Sequence, residues 1–266
     1  MNKRYYQIKQ IAKEKMRSRF GLALLITIVP PIIYGLLGSM AGFIIGIIST
    51  DLGDIADTLV TGYGTFISIS LILQFFRGKT DFTGEDFFFF DDRVLQYFLL
   101  SLVFFFLGFT AFIPFYNQLA SIADIPASII NNQGVLNDLI KSVTPLQAIA
   151  SLLIGLLTIF ISTRLLFAPY IIIDQHKQVL DAIKKSWDYT RGKFWYVFFF
   201  PLSFILWYLL IIPTLFLILL YLIPYVAFSI TALYMAFKEA NGDGEIQREF
   251  EEEVVEVDIL DDDLYR

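Results

Sequence analysis

Residues 20–50 read FGLALLITIVPPIIYGLLGSMAGFIIGIIST, thirty-one positions between Arg19 and Asp51 without a formal charge. A helix needs about 20 mainly apolar residues to cross the hydrocarbon core of a bilayer, and this stretch exceeds that. Similar runs recur until Lys238. In lipid the backbone groups can bond only to one another, and a helix satisfies them internally. The chain is therefore expected to be all-α, a polytopic membrane bundle of six transmembrane helices at 20–48, 59–76, 94–116, 146–173, 194–212 and 215–237. The last two divide a charge-free run of 44 residues at Pro213, where a proline favours a turn. One broken helix with a re-entrant piece is the other way to divide it.

Composition agrees. The 266 residues are 56% hydrophobic, with a mean hydropathy of +0.64, above the roughly 45–50% apolar content of soluble domains. The absence of Cys excludes disulfides, thiol chemistry and thiolate metal sites, and a single His, His176, excludes a multi-histidine centre. No cofactor is implied. The first apolar stretch is far longer than the roughly 7–15 residues of a secretory signal core, so a cleaved leader is not expected. The chain divides into a basic amphipathic arm (1–19), a membrane domain (20–238) and an acidic tail (239–266).

Lys and Arg set the orientation. Seven lie in the arm, three between the second and third spans, five between the fourth and fifth, and three from Lys238 onward. Thus 18 of 20 fall on one side, leaving Lys141 opposite and Arg164 within a span. Both termini are expected to be cytoplasmic. The first span should kink or split at Pro30–Pro31. Beyond them Gly38, Gly42 and Gly46 recur every fourth residue, a spacing that lets another helix approach closely. Their partner is either another helix of the same chain or a second copy.

Three cytoplasmic segments have interfacial character. In the arm, Tyr5, Ile8, Ala12 and Met16 form an apolar stripe on a basic helix, the pattern of a segment lying among headgroups of the anionic inner leaflet. Between the fourth and fifth spans, Val179, Ala182, Ile183, Ser186, Trp187 and Thr190 form one face, and Asp181, Lys184, Lys185 and Asp188 the other. Trp187 and Trp195 are suited to anchoring at the interface. The run Phe87–Phe88–Phe89–Phe90, flanked by acidic residues, is the third. Each segment enters its span through a basic residue: Arg19, Arg93 or Lys193. Nucleic acid is not an expected partner, since the basic arm carries a membrane stripe.

The stretch Ala168-Pro169-Tyr170-Ile171-Ile172-Ile173-Asp174, followed by Ala182-Ile183-Lys184-Lys185-Ser186-Trp187 and Arg191-Gly192-Lys193-Phe194-Trp195, resembles the core of the DUF975 family of bacterial integral membrane proteins. The similarity extends to Arg4-Tyr5 through Arg19, to Ile223-Pro224-Tyr225 and to Ala232-Leu233-Tyr234. It implies a six-helix membrane domain and no inherited activity. A more distant similarity is to the membrane domain attached to some glycerophosphoryl diester phosphodiesterases, whose catalytic domain is absent here.

No expected span contains Asp or Glu, which counts against ion-coupled transport. Arg164 is the intramembrane charge. It either snorkels to the interface or binds a lipid phosphate or another anion, with Lys184, Lys185, Arg191 and Lys193 as further candidates. Asp174 and His176 lie close in sequence, but no nucleophile-elbow, Walker or zinc pattern accompanies them. The tail from Glu239 holds twelve acidic and two basic residues, so the body before it is net basic. Such a block is expected to be a solvated, disordered segment. The sequence thus points to a non-enzymatic cell-membrane protein that binds lipid or a membrane-protein partner. The alternative is a transporter or lipid-translocating protein with a groove near Arg164.

Overall fold

A computed structural model of the chain describes residues 5–88, 93–110, 144–214 and 216–242. Expectations for the end of the third span beyond Thr110, Lys141, the second half of the four-phenylalanine run and the tail from Asp243 lie outside them. Among the described residues there is no strand. The helices are α1 (Tyr5–Ser18), α2 (Phe20–Gly46), α3 (Thr50–Phe76), α4 (Gly84–Phe87), α5 (Arg93–Thr110), α6 (Pro145–Arg164), α7 (Ala168–Gln175), α8 (Val179–Thr190), α9 (Phe194–Leu202), α10 (Ile205–Leu209) and α11 (Leu219–Ala240).

Five apolar helical stretches are long enough to cross a bilayer: α2, α3, α5, the α6–α7 stretch and α11. A sixth span exists if α8 and the α9–α10 stretch, bent by 92° at their junction, are counted together. The fold is a polytopic helical bundle.

The hairpin of α2 and α3 is held by close backbone approach. A Cβ on Gly38 would stand 2.5 Å from Thr61 Oγ1 and 2.9 Å from the Asp57 carbonyl. One on Gly42 would meet Asp57 Cβ at 2.9 Å, and one on Gly53 would meet the Gly42 carbonyl at 2.5 Å. The glycine face of α2 is thus covered from within the chain, although Gly46 itself has room for a Cβ. This packing corrects the second span. Its helix begins at Thr50, not 59, so Asp51, Asp54 and Asp57 are helical and precede the acid-free apolar stretch from Leu59. Packing on glycine, and the Thr61 hydroxyl that donates to Asp57 Oδ1 at 3.2 Å, carry the helix through residues whose charge reads as loop.

Helix α2 does not split at its prolines. Pro31 has no N–H to offer the carbonyl four residues back. That carbonyl, on Thr27, instead accepts from Ser68 Oγ at 3.2 Å. Gly64 lets α3 come this near, since a Cβ there would lie 2.8 Å from the Pro30 carbonyl.

From Tyr63 to Phe76, α3 is the centre of the molecule. Tyr63 and Phe66 join Tyr97 and Phe98 of α5 in a ring cluster, and Tyr97 donates to the Gly62 carbonyl at 2.6 Å. Phe75 and Phe76 pack on Phe228 of α11.

The arm departs from its expected place. Ile8, Ala12 and Met16 of α1 are buried within the protein, so the stripe expected among lipid headgroups is covered instead by the chain itself. Tyr5 donates to the Tyr196 carbonyl at 2.8 Å, and Phe20, just beyond α1, stacks on Tyr221. Lys9 Nζ donates to the Ser203 carbonyl at 3.1 Å and sits 3.9 Å from the Phe204 ring centre. It thereby fills the break between α9 and α10, and burial lowers its pKa. The fifth span is broken there, residues 210–214 and 216–218 form turns around Pro213, and the sixth begins at Leu219.

Candidate functional site

The fourth span is also broken, between Arg164 and Ala168, and the break is stitched by α8. Ser186 Oγ donates to the Arg164 carbonyl at 2.7 Å and accepts from the Phe167 amide at 3.2 Å. One buried hydroxyl thus occupies two backbone groups that a continuous helix would have satisfied. Ala182 is fully buried on the same face. The buried face of α8 is Val179, Ala182, Ser186, Tyr189 and Thr190. Trp187, expected to share it, is 40% exposed and lies at its edge.

Arg164 does not snorkel away from this corner. Its Cζ lies 5.1 Å from the Trp187 ring centre, 5.3 Å from Phe160 and 5.4 Å from Phe194. Rings around a guanidinium stabilise its charge through their π-faces. Nη1 donates to Thr190 Oγ1 at 3.2 Å. After Thr190 the chain turns through Gly192, whose φ of +71° favours glycine, and enters α9.

The remaining candidates surround this turn without converging on one point. Lys184 is exposed on α8, and Lys185 lies 5.8 Å from the Tyr189 ring centre. Arg191 is exposed, while Lys193 leans over Phe237 at 5.4 Å. Trp195 is 65% exposed and stacks on Phe199. A notch of about 180 Å³ is lined by Gly192, Lys193, Trp195 and Tyr196.

Asp174 was not singled out as a binding centre by the sequence, yet it ties three helices together. Its side chain is fully buried and pairs with Arg77, at the end of α3, and with Lys238 Nζ of α11 at 2.9 Å. Tyr234 donates its hydroxyl to Oδ2 at 2.6 Å, and Arg93 donates to the neighbouring Ile173 carbonyl at 3.2 Å. Two cations and a hydroxyl around one carboxylate make a structural clamp. His176 is exposed, in left-handed conformation just past α7.

A second cavity, about 470 Å³, lies at the tip of the α2–α3 hairpin and is lined by Gly42, Gly46, Gly53, Asp54 and Asp57 among others. Among the described residues no group of three His, Cys, Asp or Glu side chains could hold a metal ion.

These features define a polytopic helical membrane protein with a broken-span corner rich in cations and aromatic rings. The chain belongs to the DUF975 family, described as "Protein of unknown function (DUF975)", whose profile matches residues 1–241. No curated protein and no solved structure matches it, so the more distant likeness to phosphodiesterase membrane domains has no support from these comparisons.

Proposed function

We propose that the chain is a non-enzymatic, multi-pass protein of the bacterial cell membrane, with both termini in the cytoplasm. It gathers anionic lipid of the inner leaflet, or a membrane-protein partner carrying similar charge, at the corner between α8 and α9. One observation carries this reading. Arg164, Lys184, Arg191 and Lys193 have no carboxylate partner among the described residues, and exposed Trp187 and Trp195 accompany them. Unpaired cations beside interfacial tryptophans favour a surface that is negative and partly apolar.

The test is lipid enrichment in nanodiscs of mixed zwitterionic and anionic lipid. With each basic residue near the surface contributing about 1 kcal/mol, Lys184→Gln combined with Arg191→Gln should lower anionic enrichment about thirtyfold at low salt. Unchanged enrichment would overturn the reading. Reporter fusions at Lys15 and Gly244 should both report cytoplasm, and an external signal at Gly244 would refute the orientation.

A second reading, lipid or solute translocation, draws on the breaks in the fourth and fifth spans, because discontinuous helices frame substrate sites in transporters. It requires flux in proteoliposomes that Arg164→Ala abolishes.

A further inference from the structure

Arg164 Nε is cut off from solvent and has no hydrogen-bond partner among the described residues. The rest of the guanidinium is largely engaged. Its Cζ lies over the rings of Trp187, Phe160 and Phe194, and Nη1 is tied to Thr190. Ring faces stabilise the cation without accepting its in-plane protons. Among the described residues no hydrogen bond takes up the edge where the Nε and Nη2 protons point in parallel. That is the edge with which arginine grips two oxygens of a phosphate or carboxylate. A buried polar donor without a partner calls for an occupant.

The surroundings say which occupant. Arg164 ends α6, a helix with no buried residue, and Leu153, Leu156 and Leu157 are more than half exposed along the helix that leads to it. Whatever reaches Arg164 along this track has long apolar chains and carries its charge at one end. The unpaired cations Arg191 and Lys193 lie just beyond, beside the notch at Gly192. We infer that the Nε–Nη2 edge of Arg164 is the seat of a single phosphate group, that of one anionic phospholipid whose acyl chains lie along α6. Trp187, 40% exposed, turns aside to admit it. The seat rests on the lipid-binding reading of the corner but asks for more: one molecule per chain, held by planar geometry in addition to charge.

The experiment is native mass spectrometry of the full chain, reconstituted with phosphatidylglycerol and released into mild detergent. One phospholipid per chain should survive release. Arg164→Lys keeps the charge but loses the planar fork, and retention should fall about tenfold. Lys184→Gln with Arg191→Gln should leave the single lipid in place. Equal retention by Arg164→Lys overturns the seat while leaving charge-driven enrichment standing. Loss in the double variant alone does the same. If Arg164→Lys does not fold, Thr190→Val replaces it, since it frees Nη1 at nearly constant shape and should lower retention severalfold. Delipidated protein given inorganic phosphate forms the last arm. A phosphate adduct that added phosphatidylglycerol fails to displace would assign the seat to a free ion and overturn the lipid assignment.

Discussion

Helices α3 and α6 are both apolar enough to cross a bilayer, yet 61% of the apolar window of α3 is buried in the protein, against 6% for the stretch begun by α6. Their mean hydropathies run the other way, 1.6 for α3 and 2.1 for the α6–α7 stretch. The more water-averse helix is the one left outside. This is what a bilayer demands. Lipid tails are as apolar as leucine, so hydrophobicity alone does not draw one span against another. What places α3 at the centre is its capacity for close approach and side-chain bonding: Gly53 and Gly64 against α2, Ser68 to the Thr27 carbonyl, and Tyr97 to the Gly62 carbonyl. Helix α6 has small residues too, but a Cβ on Gly155 would meet nothing within 4 Å.

The largest expected effect is at the clamp that ties the central helices. Asp174→Ala removes a fully buried carboxylate and leaves Lys238, 13% exposed, without this counter-charge. Destabilisation of about 3 kcal/mol is expected, at the low end for a broken buried pair because Arg77 is 43% exposed and recovers solvation. It should register as a lower unfolding temperature in detergent. A silent substitution would show that the centre is held by packing alone.

Next come two matched glycines. Gly64→Ala forces a Cβ to within 2.8 Å of the Pro30 carbonyl and of Tyr34 Cβ, and should cost about 1–3 kcal/mol by overpacking. Gly155→Ala on α6 should instead stabilise by about 0.5–1 kcal/mol, since alanine loses less chain entropy than glycine. Equal penalties in the same melting assay would mean that the α6 face is covered by another protein surface, and the contrast between the helices would collapse.

The smallest effect lies outside the spans, between α3 and α5. Burial alone would raise the Asp86 carboxyl, but the hydrogen bond from Lys79 and those from Thr83 outweigh it and hold its pKa below the ordinary 3.8. A depressed folded-state pKa gives stability that is present above the unfolded value and lost as pH falls through the folded one. Hydrogen exchange across residues 78–88 should therefore quicken below about pH 4 beyond the intrinsic rate, while that of buried α3 holds. Parallel loosening of both would place Asp86 within the central unit.

The membrane class, the positions of most spans and the glycine face of α2 were legible because each is local. Charge-free length needs no knowledge of partners. The clamp was not legible, because Asp174 ends an Ile-Ile-Ile run as any rim residue would, while Arg77, Tyr234 and Lys238 lie 60 to 97 residues away. The arm was misplaced for a different reason. Ile8, Ala12 and Met16 form the same stripe whether it faces acyl chains or protein, and periodicity cannot tell the two apolar surroundings apart. The Arg164 cage was half legible: Arg164, Trp187 and Phe194 belong to stretches the sequence marks out, but the roles of Ser186 and Thr190 appear only once the helix break brings them beneath it.

The extended start of α3 has a geometric consequence. At about 1.5 Å per residue, the 27 residues of α2 and the 27 of α3 each measure about 40 Å, against a hydrocarbon slab of about 30 Å. The hairpin overhangs by some two turns if upright, and its two legs disagree about the overhang. On α2 and just beyond it those turns carry Phe43, Ile44, Ile47 and Ile48, all 61–84% exposed. On α3 they carry exposed Asp51 and Asp54. Tilt is the usual relief for such mismatch, and here it has a preferred sense: the hairpin leans over its α2 side, pressing those greasy residues back into lipid while lifting the carboxylates into water. A spin label at Ile47 should then be quenched by dissolved oxygen, and one at Asp54 by an aqueous nickel chelate. The reverse pattern would mean the hairpin stands straight or leans the other way.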